Sequence, residues 1–411
     1  MMLRLLIPIG LLLLIDFYFF QIIRTAGHDL SVTRKEFLFA GYWLVSLLTI
    51  AIVILSTFQV SLPNHVKYYL FSFMLVLLVP KLIGILFLIG EDVFRLGKGI
   101  LGLLTQSDEP FISDRREFIS KAGLIAATIP FATMLYGMAR TAFNIQIRRK
   151  TVFYDDLPAA FEGLTIAQIS DMHSGSFSSS AFISEAVNRI LELKPDLIFF
   201  TGDLVNNEAA EAEPHINEFK RLKARLGVHS VLGNHDYGDY GPWPSAEAKT
   251  ANLNRLKEIH KESGWNLLLN SNHVLEDDGE KLAIVGVENW GAARHFPKYG
   301  DLDKAVEGAE DVRFKILLSH DPSHWDAKVK DHPQKFQLTL SGHTHGAQFG
   351  IDIPGFKWSP VQYLYKQWAG LYEEAGQNIY VNRGLGFIGY MGRIGISPEI
   401  TLLELKSSKN S

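Results

Sequence analysis

The chain has 411 residues, fourteen histidines and no cysteine, so disulfides, thiolate chemistry and cysteine-ligated zinc are excluded, and there is length for two folded units. A formal net charge of −4 leaves no electrostatic footprint for nucleic acid and removes that class of partner. Hydrophobic residues form 47% of the chain; their excess falls before residue 145 and the charge gathers after it. Four stretches approach the ~20 apolar residues that a membrane crossing needs: 5–23, 37–58, 68–90 and 122–139. The first carries Asp16 and the third is interrupted by Pro80-Lys81. An acid or a base at that depth is expected either to be functional or to be paired, here with each other. No small-x-small cleavage site follows the first stretch, so it reads as a retained helix rather than a removed signal.

Lysine and arginine set the expected orientation. Arg24, Arg34 and Lys35 follow the first span, and Arg95, Lys98, Arg115, Arg116 and Lys121 follow the third. Only Lys67 lies between the second and third, and only Arg4 precedes the first. The richer loops should be cytoplasmic, which puts everything after residue 140 on the extracytoplasmic side. Arg140, Arg148, Arg149 and Lys150 run against that bias. SDRREFISKAG (113–123) looks like a bacterial twin-arginine export signal, although Asp114 and its internal position depart from the usual pattern. These signs predict a multi-pass protein of a bacterial cell membrane, with a transmembrane helical region over 1–145, a soluble domain over 151–411 facing outward, and the twin-arginine machinery as an export partner.

From residue 151 short β-type runs alternate with amphipathic stretches, expected as helices near 179–193, 214–225 and 245–262, a pattern that argues for an α/β sheet. Five runs end in polar clusters. LTIAQIS leads into Asp171-Met-His173, and DLIFF into Thr-Gly-Asp203. VHSVL leads into Gly-Asn234-His235-Asp236, FKILL into Ser-His320-Asp321, and FQLTL into Ser-Gly-His343-Thr-His345. Polar groups at the carboxyl ends of strands collect in one crevice. Carboxylate, imidazole and amide oxygen suit Mn, Fe, Zn or Mg. Glycine before Asp203, Asn234 and His343 is expected to let the backbone turn sharply. Two carboxylates set against two divalent ions leave a surplus of positive charge that suits an anionic phosphoryl group.

In order and spacing these five signatures resemble the calcineurin-like metallophosphoesterases over residues 150–411, and with the apolar segments ahead of them a membrane-associated branch of that family. The resemblance implies a four-layer α/β/β/α sandwich. It implies one ion held by Asp171, His173 and His345, a second by Asn234, His320 and His343, and Asp203 bridging them. His235 would be the catalytic histidine and Asp236 a residue that orients it. Many members carry aspartate where this chain has Asn206. The implied activity is hydrolysis of phosphoester or pyrophosphate bonds by a hydroxide bridging two divalent ions, manganese being favoured.

The expected substrate is a phosphorylated small molecule or a lipid or cell-wall phosphate. The aromatic stretches GFKWSPVQYLYKQWAGLYEE and GFIGYMGRIG, together with Arg383 and Arg393, are candidates for contacts to it. Competing readings are a UDP-2,3-diacylglucosamine pyrophosphatase, whose chemistry is cytoplasmic, and a membrane phosphate-binding or sensor protein without turnover. His215, His260, His273 and His332 are expected in polar, exposed surroundings, and His295 and His324 at the surface or just outside the site.

Overall fold

The computed structural model describes residues 2–57, 62, 64–105 and 113–410. Phe58, which the sequence reading gave to the second span, lies outside them. The chain divides into two compact units, Met1–Tyr136 and Gly137–Ser411, so the division falls ahead of residue 145.

The first unit is helical: α1 (Met2–Ala26), α2 (Val32–Thr57), α3 (Asn64–Thr105) and α4 (Ser113–Ala139). All four are long and apolar enough to cross a membrane. The two charges expected inside the spans meet each other. Lys81 Nζ lies 2.5 Å from Asp16 Oδ1 and 3.2 Å from Ser46 Oγ, and Tyr42 OH donates to the Asp16 carbonyl at 2.8 Å. Mutual neutralisation with added hydrogen bonds is what makes such a pair tolerable in an apolar setting.

Arg95 and Lys98, expected in a loop, instead continue α3, whose 42 residues reach about 63 Å, twice the hydrocarbon thickness. Apolar residues at helical spacing beyond Glu91 (Val93, Phe94, Leu96, Ile100, Leu101) sustain the extension. The paired arginines are both matched: Arg115 to Glu91 at 2.6 Å and Arg116 to Asp92 at 2.9 Å. That gives them a structural role in the helical unit independent of any export signal.

Among the described residues the second unit holds fourteen strands and four short or medium α-helices, besides 3-10 turns. In chain order these are β1 (Gln146–Tyr154), β2 (Thr165–Ile169), α5 (Ala181–Glu192), β3 (Leu197–Phe200), α6 (Ile216–Phe219), β4 (Val228–Ser230), α7 (Ala246–Glu262) and β5 (Asn266–Leu267). There follow β6 (Ser271–Asp277), β7 (Glu280–Gly286), α8 (Leu302–Val306), β8 (Phe314–Leu318), β9 (Leu338–Ser341), β10 (Ile351–Ile353) and β11 (Phe356–Trp358). The last are β12 (Gly370–Glu374), β13 (Gln377–Val381) and β14 (Glu399–Ser407). The helix expected over 214–225 shrinks to α6 behind a 3-10 turn over Glu213–His215; Ile216, Phe219 and Leu222 are buried at a spacing of three.

One six-stranded sheet runs β1-β14-β2-β3-β4-β5 and a second β12-β13-β9-β8-β7-β6, with β10-β11 a separate hairpin. The motif strands β2, β3 and β4 are mutually parallel in the first sheet, and β8 and β9 are parallel in the second. Alternation shows how the layers form. On β7, Leu282 and Ile284 enter a core shared with Ile166, Leu197 and Phe199 of the first sheet. Their neighbours Ala283 and Val285 pack on the other side against Leu302, Ala305 and Val306 of α8. Strands buried on both faces read as continuous apolar runs, which is why LIFF and FKILL carry no alternation. The two sheets face each other with helices outside, the four-layer arrangement expected. It sets the carboxyl ends of β2, β3, β4, β8 and β9 at one rim.

Candidate metal centre

Two groups of side chains meet at that rim. Asp171, His173 and His345 offer ligand atoms within 4.8 Å of one another, and so do Asp203, His320 and His343. Asn234 joins the second group, its Oδ1 lying 2.9 Å from His343 Nδ1. Two histidines one residue apart on one loop thus face different groups. His345 Nε2 sits 3.2 Å from Asp171 Oδ1 and 3.1 Å from His173 Nε2, while His343 lies with Asn234. Asp203 stands between the groups, its Oδ2 3.1 Å from His320 Nε2 and 3.7 Å from His173 Nε2.

The local backbone is forced into this arrangement. Asp171, His173, Asp203, His343 and His345 all have φ between 48° and 72°, the left-handed region that residues with a Cβ seldom adopt. Concentrated strain of this kind marks a functional site. Gly202 has a positive φ of 96°, as the turning argument requires. Gly233 and Gly342 serve for a different reason, which is space. A Cβ on Gly233 would lie 2.2 Å from Asp203 Oδ1, and one on Gly342 would lie 1.9 Å from Ser170 Oγ and 2.2 Å from Asp171 Oδ2.

Hydrogen bonds orient the ring nitrogens. His320 donates from Nδ1 to the Thr201 carbonyl at 2.7 Å, which leaves Nε2 buried and without a hydrogen-bond partner, aimed at Asp203. An outer partner that fixes the tautomer is the usual support for a ligating histidine. The His343 amide donates to both Asp171 oxygens, at 2.9 and 3.1 Å, and the His235 amide donates to Asp203 Oδ1 at 2.9 Å. His173 and His345 meet Nε2 to Nε2, so two lone-pair positions converge where a cation would satisfy both. The donor set therefore fits divalent ions by chemistry and by geometry.

Electrostatics couple the same carboxylates and imidazoles strongly to one another. Burial works against the Asp171 carboxylate, but the His345 and His320 imidazoles outweigh it and hold its pKa down at about 2. Burial also opposes the His320 cation, but Asp203 and Asp171 overcome it and push its pKa up to about 10. His173 goes the other way, well below the usual imidazole range, because burial dominates there.

Asp236 does not orient His235 as expected. Its carboxylate accepts from the amides of Asp203, Leu204 and Gly233 at 2.8–2.9 Å and Val205 at 3.2 Å, so it ties the β3 and β4 loops together. Burial and the neighbouring Asp203 charge raise its pKa to about 7. His235 is held by a backbone group instead: Nδ1 donates to the Asn206 carbonyl at 2.8 Å. The position-206 side chain, where the family's aspartate would stand, donates to Ser176 Oγ at 3.2 Å.

Three residues that sequence reading passed over belong here. Tyr240 OH is 2.9 Å from Asn234 Nδ2, and its ring packs against His235 with centroids 4.6 Å apart. Tyr365 OH is 2.7 Å from His343 Nε2. Asp321 is buried with Oδ2 3.5 Å from the same nitrogen, a third carboxylate that reduces the expected positive surplus. Asp321 had a signal, since it ends its motif strand beside His320; Tyr365 lies in the aromatic stretch named for substrate contact but was not singled out within it, and Tyr240 had no signal.

Arg383 pairs with Glu399 at 2.5 Å and Asp352 at 3.1 Å. Arg393 is fully buried, donating to the Arg383, Gly384 and Gly386 carbonyls, with Nη2 3.3 Å from His345 Nδ1. Both brace the loop beside the site. His215 and His260 are buried, against expectation, with ring nitrogens meeting the Ser180 and Ser230 hydroxyls, which a one-dimensional pattern does not show; His324 is buried just outside the site, its Nδ1 meeting the Ser319 hydroxyl beside His320.

Residues 3–142 match a family model described as probable calcineurin-like phosphoesterase, transmembrane domain, and residues 164–347 match one described as calcineurin-like phosphoesterase. The metallophosphoesterase YkuE of Bacillus subtilis (strain 168) is 32% identical over 301 residues, covering 72% of this chain and 98% of the relative. Phosphodiesterase YaeI of Escherichia coli (strain K12) is 28% identical, covering 72% and 99%. UDP-2,3-diacylglucosamine pyrophosphatase LpxG of Chlamydia trachomatis serovar D is 28% identical, covering 60% and 86%.

Proposed function

We propose that this chain, which belongs to the calcineurin-like phosphoesterases, is a membrane-anchored, two-metal phosphoesterase that hydrolyses phosphoester or pyrophosphate bonds of a membrane or cell-wall phosphate. The observation that carries the reading is the meeting of two ligand groups across Asp203, with five of the seven candidate ligands in the left-handed region. Asp171, His173 and His345 would hold one ion, Asn234, His320 and His343 the other, and Asp203 both. Bound divalent ions, manganese for preference, would supply Lewis acidity, easing deprotonation of water and offsetting charge on the phosphoryl group.

The remaining chemistry belongs to side chains. His235, with Nδ1 donating to the Asn206 carbonyl, keeps Nε2 for the substrate and, when both ring nitrogens carry protons, can deliver the Nε2 proton to the leaving oxygen. Tyr240 limits the movement of that ring. Asp236 acts through the loops it ties and is a positioning residue.

A pyrophosphate substrate is the second reading, favoured by similarity to a relative named as a UDP-2,3-diacylglucosamine pyrophosphatase. The lysine and arginine bias around the apolar segments supports a catalytic unit on the extracytoplasmic side of a bacterial membrane, and the Arg115-Arg116 pair supports export by the twin-arginine route. The test of the enzyme reading is turnover of a diester, a monoester and a lipid pyrophosphate by the purified full chain with Mn²⁺, beside Asp203→Asn. Turnover should be lost in the variant together with Mn²⁺ binding. A chain that binds Mn²⁺ but turns over none of the three would instead be a binding protein.

A further inference from the structure

The hairpin β10-β11 has its polarity reversed relative to a hairpin that faces water. Cross-strand register puts Ile351 opposite Trp358 and Ile353 opposite Phe356 on one face, and Asp352 opposite Lys357 on the other. The polar face is the one tied down. Asp352 accepts from Arg148 and forms an ion pair with Arg383, and Lys357 donates to the Ala369 carbonyl at 2.7 Å and to Tyr372 OH at 3.0 Å. The apolar face is open: Ile353 is 58% exposed and Phe356 54%.

The surface extends past the hairpin. Phe349 and Ile351 are exposed, and Tyr363 and Leu364 are 76% and 82% exposed. Six large apolar side chains within sixteen residues leave an apolar patch on the order of several hundred Å², which usually marks a binding surface. The patch is continuous in chain with the metal centre, since Leu364 is followed by Tyr365, whose hydroxyl meets His343.

Chain connectivity names the occupant. Asp352 is held by Arg148 of β1, and Arg148 stands fewer than ten residues beyond the end of α4 at Ala139. Even fully extended, that stretch reaches roughly 30 Å, so a membrane-crossing α4 keeps the hairpin near a bilayer surface. Arg140, Arg149 and Lys150 on the same stretch are exposed cations suited to anionic lipid, and Phe143 and Ile147 add exposed apolar side chains.

We infer that the face formed by Phe349, Ile351, Ile353, Phe356, Tyr363 and Leu364 docks into the lipid interface, so that the metal centre works on phosphoesters of lipids still seated in the bilayer. The docking stands on the hairpin alone; the lipid substrate rests on the phosphoesterase reading above.

The absence of cysteine makes a direct test clean. Full chains carrying Ile353→Cys, Leu364→Cys or, as control, Glu276→Cys on the edge strand β6 are labelled with a polarity-sensitive fluorophore. They are placed in nanodiscs of phosphatidylcholine and phosphatidylglycerol containing doxyl-labelled lipid. Quenching at positions 353 and 364 but not at 276 is expected. No quenching at 353 and 364, or burial of those labels between two copies of the chain, overturns docking.

For the substrate, Ile353→Ser combined with Phe356→Ser should slow hydrolysis of a fluorescent lipid pyrophosphate in the nanodisc by at least about ten-fold. Hydrolysis of bis(p-nitrophenyl) phosphate should be unchanged. An equal effect on both esters, or none on the lipid, overturns the substrate assignment. If the unsubstituted chain hydrolyses neither ester while quenching persists, the phosphoesterase reading fails and the docking surface stands.

Discussion

Gly342→Ala adds one methyl group at a position with no room for it. The new Cβ would sit 1.9 Å from Ser170 Oγ and 2.2 Å from Asp171 Oδ2, where ordinary contacts begin well above 3 Å. Ser170 is fully buried, and Asp171 is held by two hydrogen bonds from the His343 amide. Either the Asp171 carboxylate swings away or the loop carrying His343 and His345 moves, in both cases by on the order of 1 Å. Overpacking of this kind costs about 1–3 kcal/mol of stability, which a folded unit of this size survives. Misplacement by 1 Å at a preorganised site costs about 10²-fold in function. The expected outcome is a folded chain with a slightly lowered Tm, Mn²⁺ binding weakened by at least about ten-fold in titration calorimetry, and turnover falling further. Gly264→Ala is the matched control: it has a φ of 76° but open space around it, so it should cost stability and leave Mn²⁺ binding alone. If Gly342→Ala bound Mn²⁺ as tightly as the unsubstituted chain, the claim that glycine is there to admit Asp171 would be wrong.

Burial lowers the His260 pKa from 6.5 to about 3, so the unfolded chain takes up a proton that the folded chain refuses. Stability is therefore full above pH 6.5 and falls by about 1.4 kcal/mol per pH unit toward pH 3, and His260→Gln should flatten that slope in denaturant melts by one proton. An outward catalytic unit predicts that Glu276→Cys is labelled by an impermeant maleimide in intact cells; protection until lysis would place it inside. Arg115→Lys with Arg116→Lys should abolish that labelling if export reads the pair, and unchanged labelling would leave the arginines only their partners Glu91 and Asp92.

The parts of this molecule legible in one dimension are those whose physics is local. Parallel strands buried on both faces must be short apolar runs, and side chains that leave such strands at the carboxyl end must gather, so LIFF before Thr-Gly-Asp203 and FKILL before Ser-His320 announce both a sheet and a site. Tyr240 was invisible, and Tyr365 stood only as one of several aromatics in a candidate stretch, because nothing local distinguishes them from core aromatics. Only the folded loops bring their hydroxyls to Asn234 and His343. The same limit explains the buried histidines, each with one ring nitrogen on the hydroxyl of a serine at least five residues away in the chain.

Asp236 shows how a family pattern can find a residue and mistake its task. The resemblance implied that the carboxylate steers the imidazole, yet neighbours along a tight 3-10 turn point in different directions. The carboxylate turns inward to four amides of the loops that carry Asp203 and Asn234, and the steering passes to a main-chain oxygen at position 206. The consequence concerns the departure from the family pattern. Because the bond to His235 comes from the Asn206 carbonyl, replacing an aspartate by asparagine there leaves the histidine's orientation intact. What is lost is a negative charge near the ring. Orientation and charge are separable at this position, and this chain retains the first without the second.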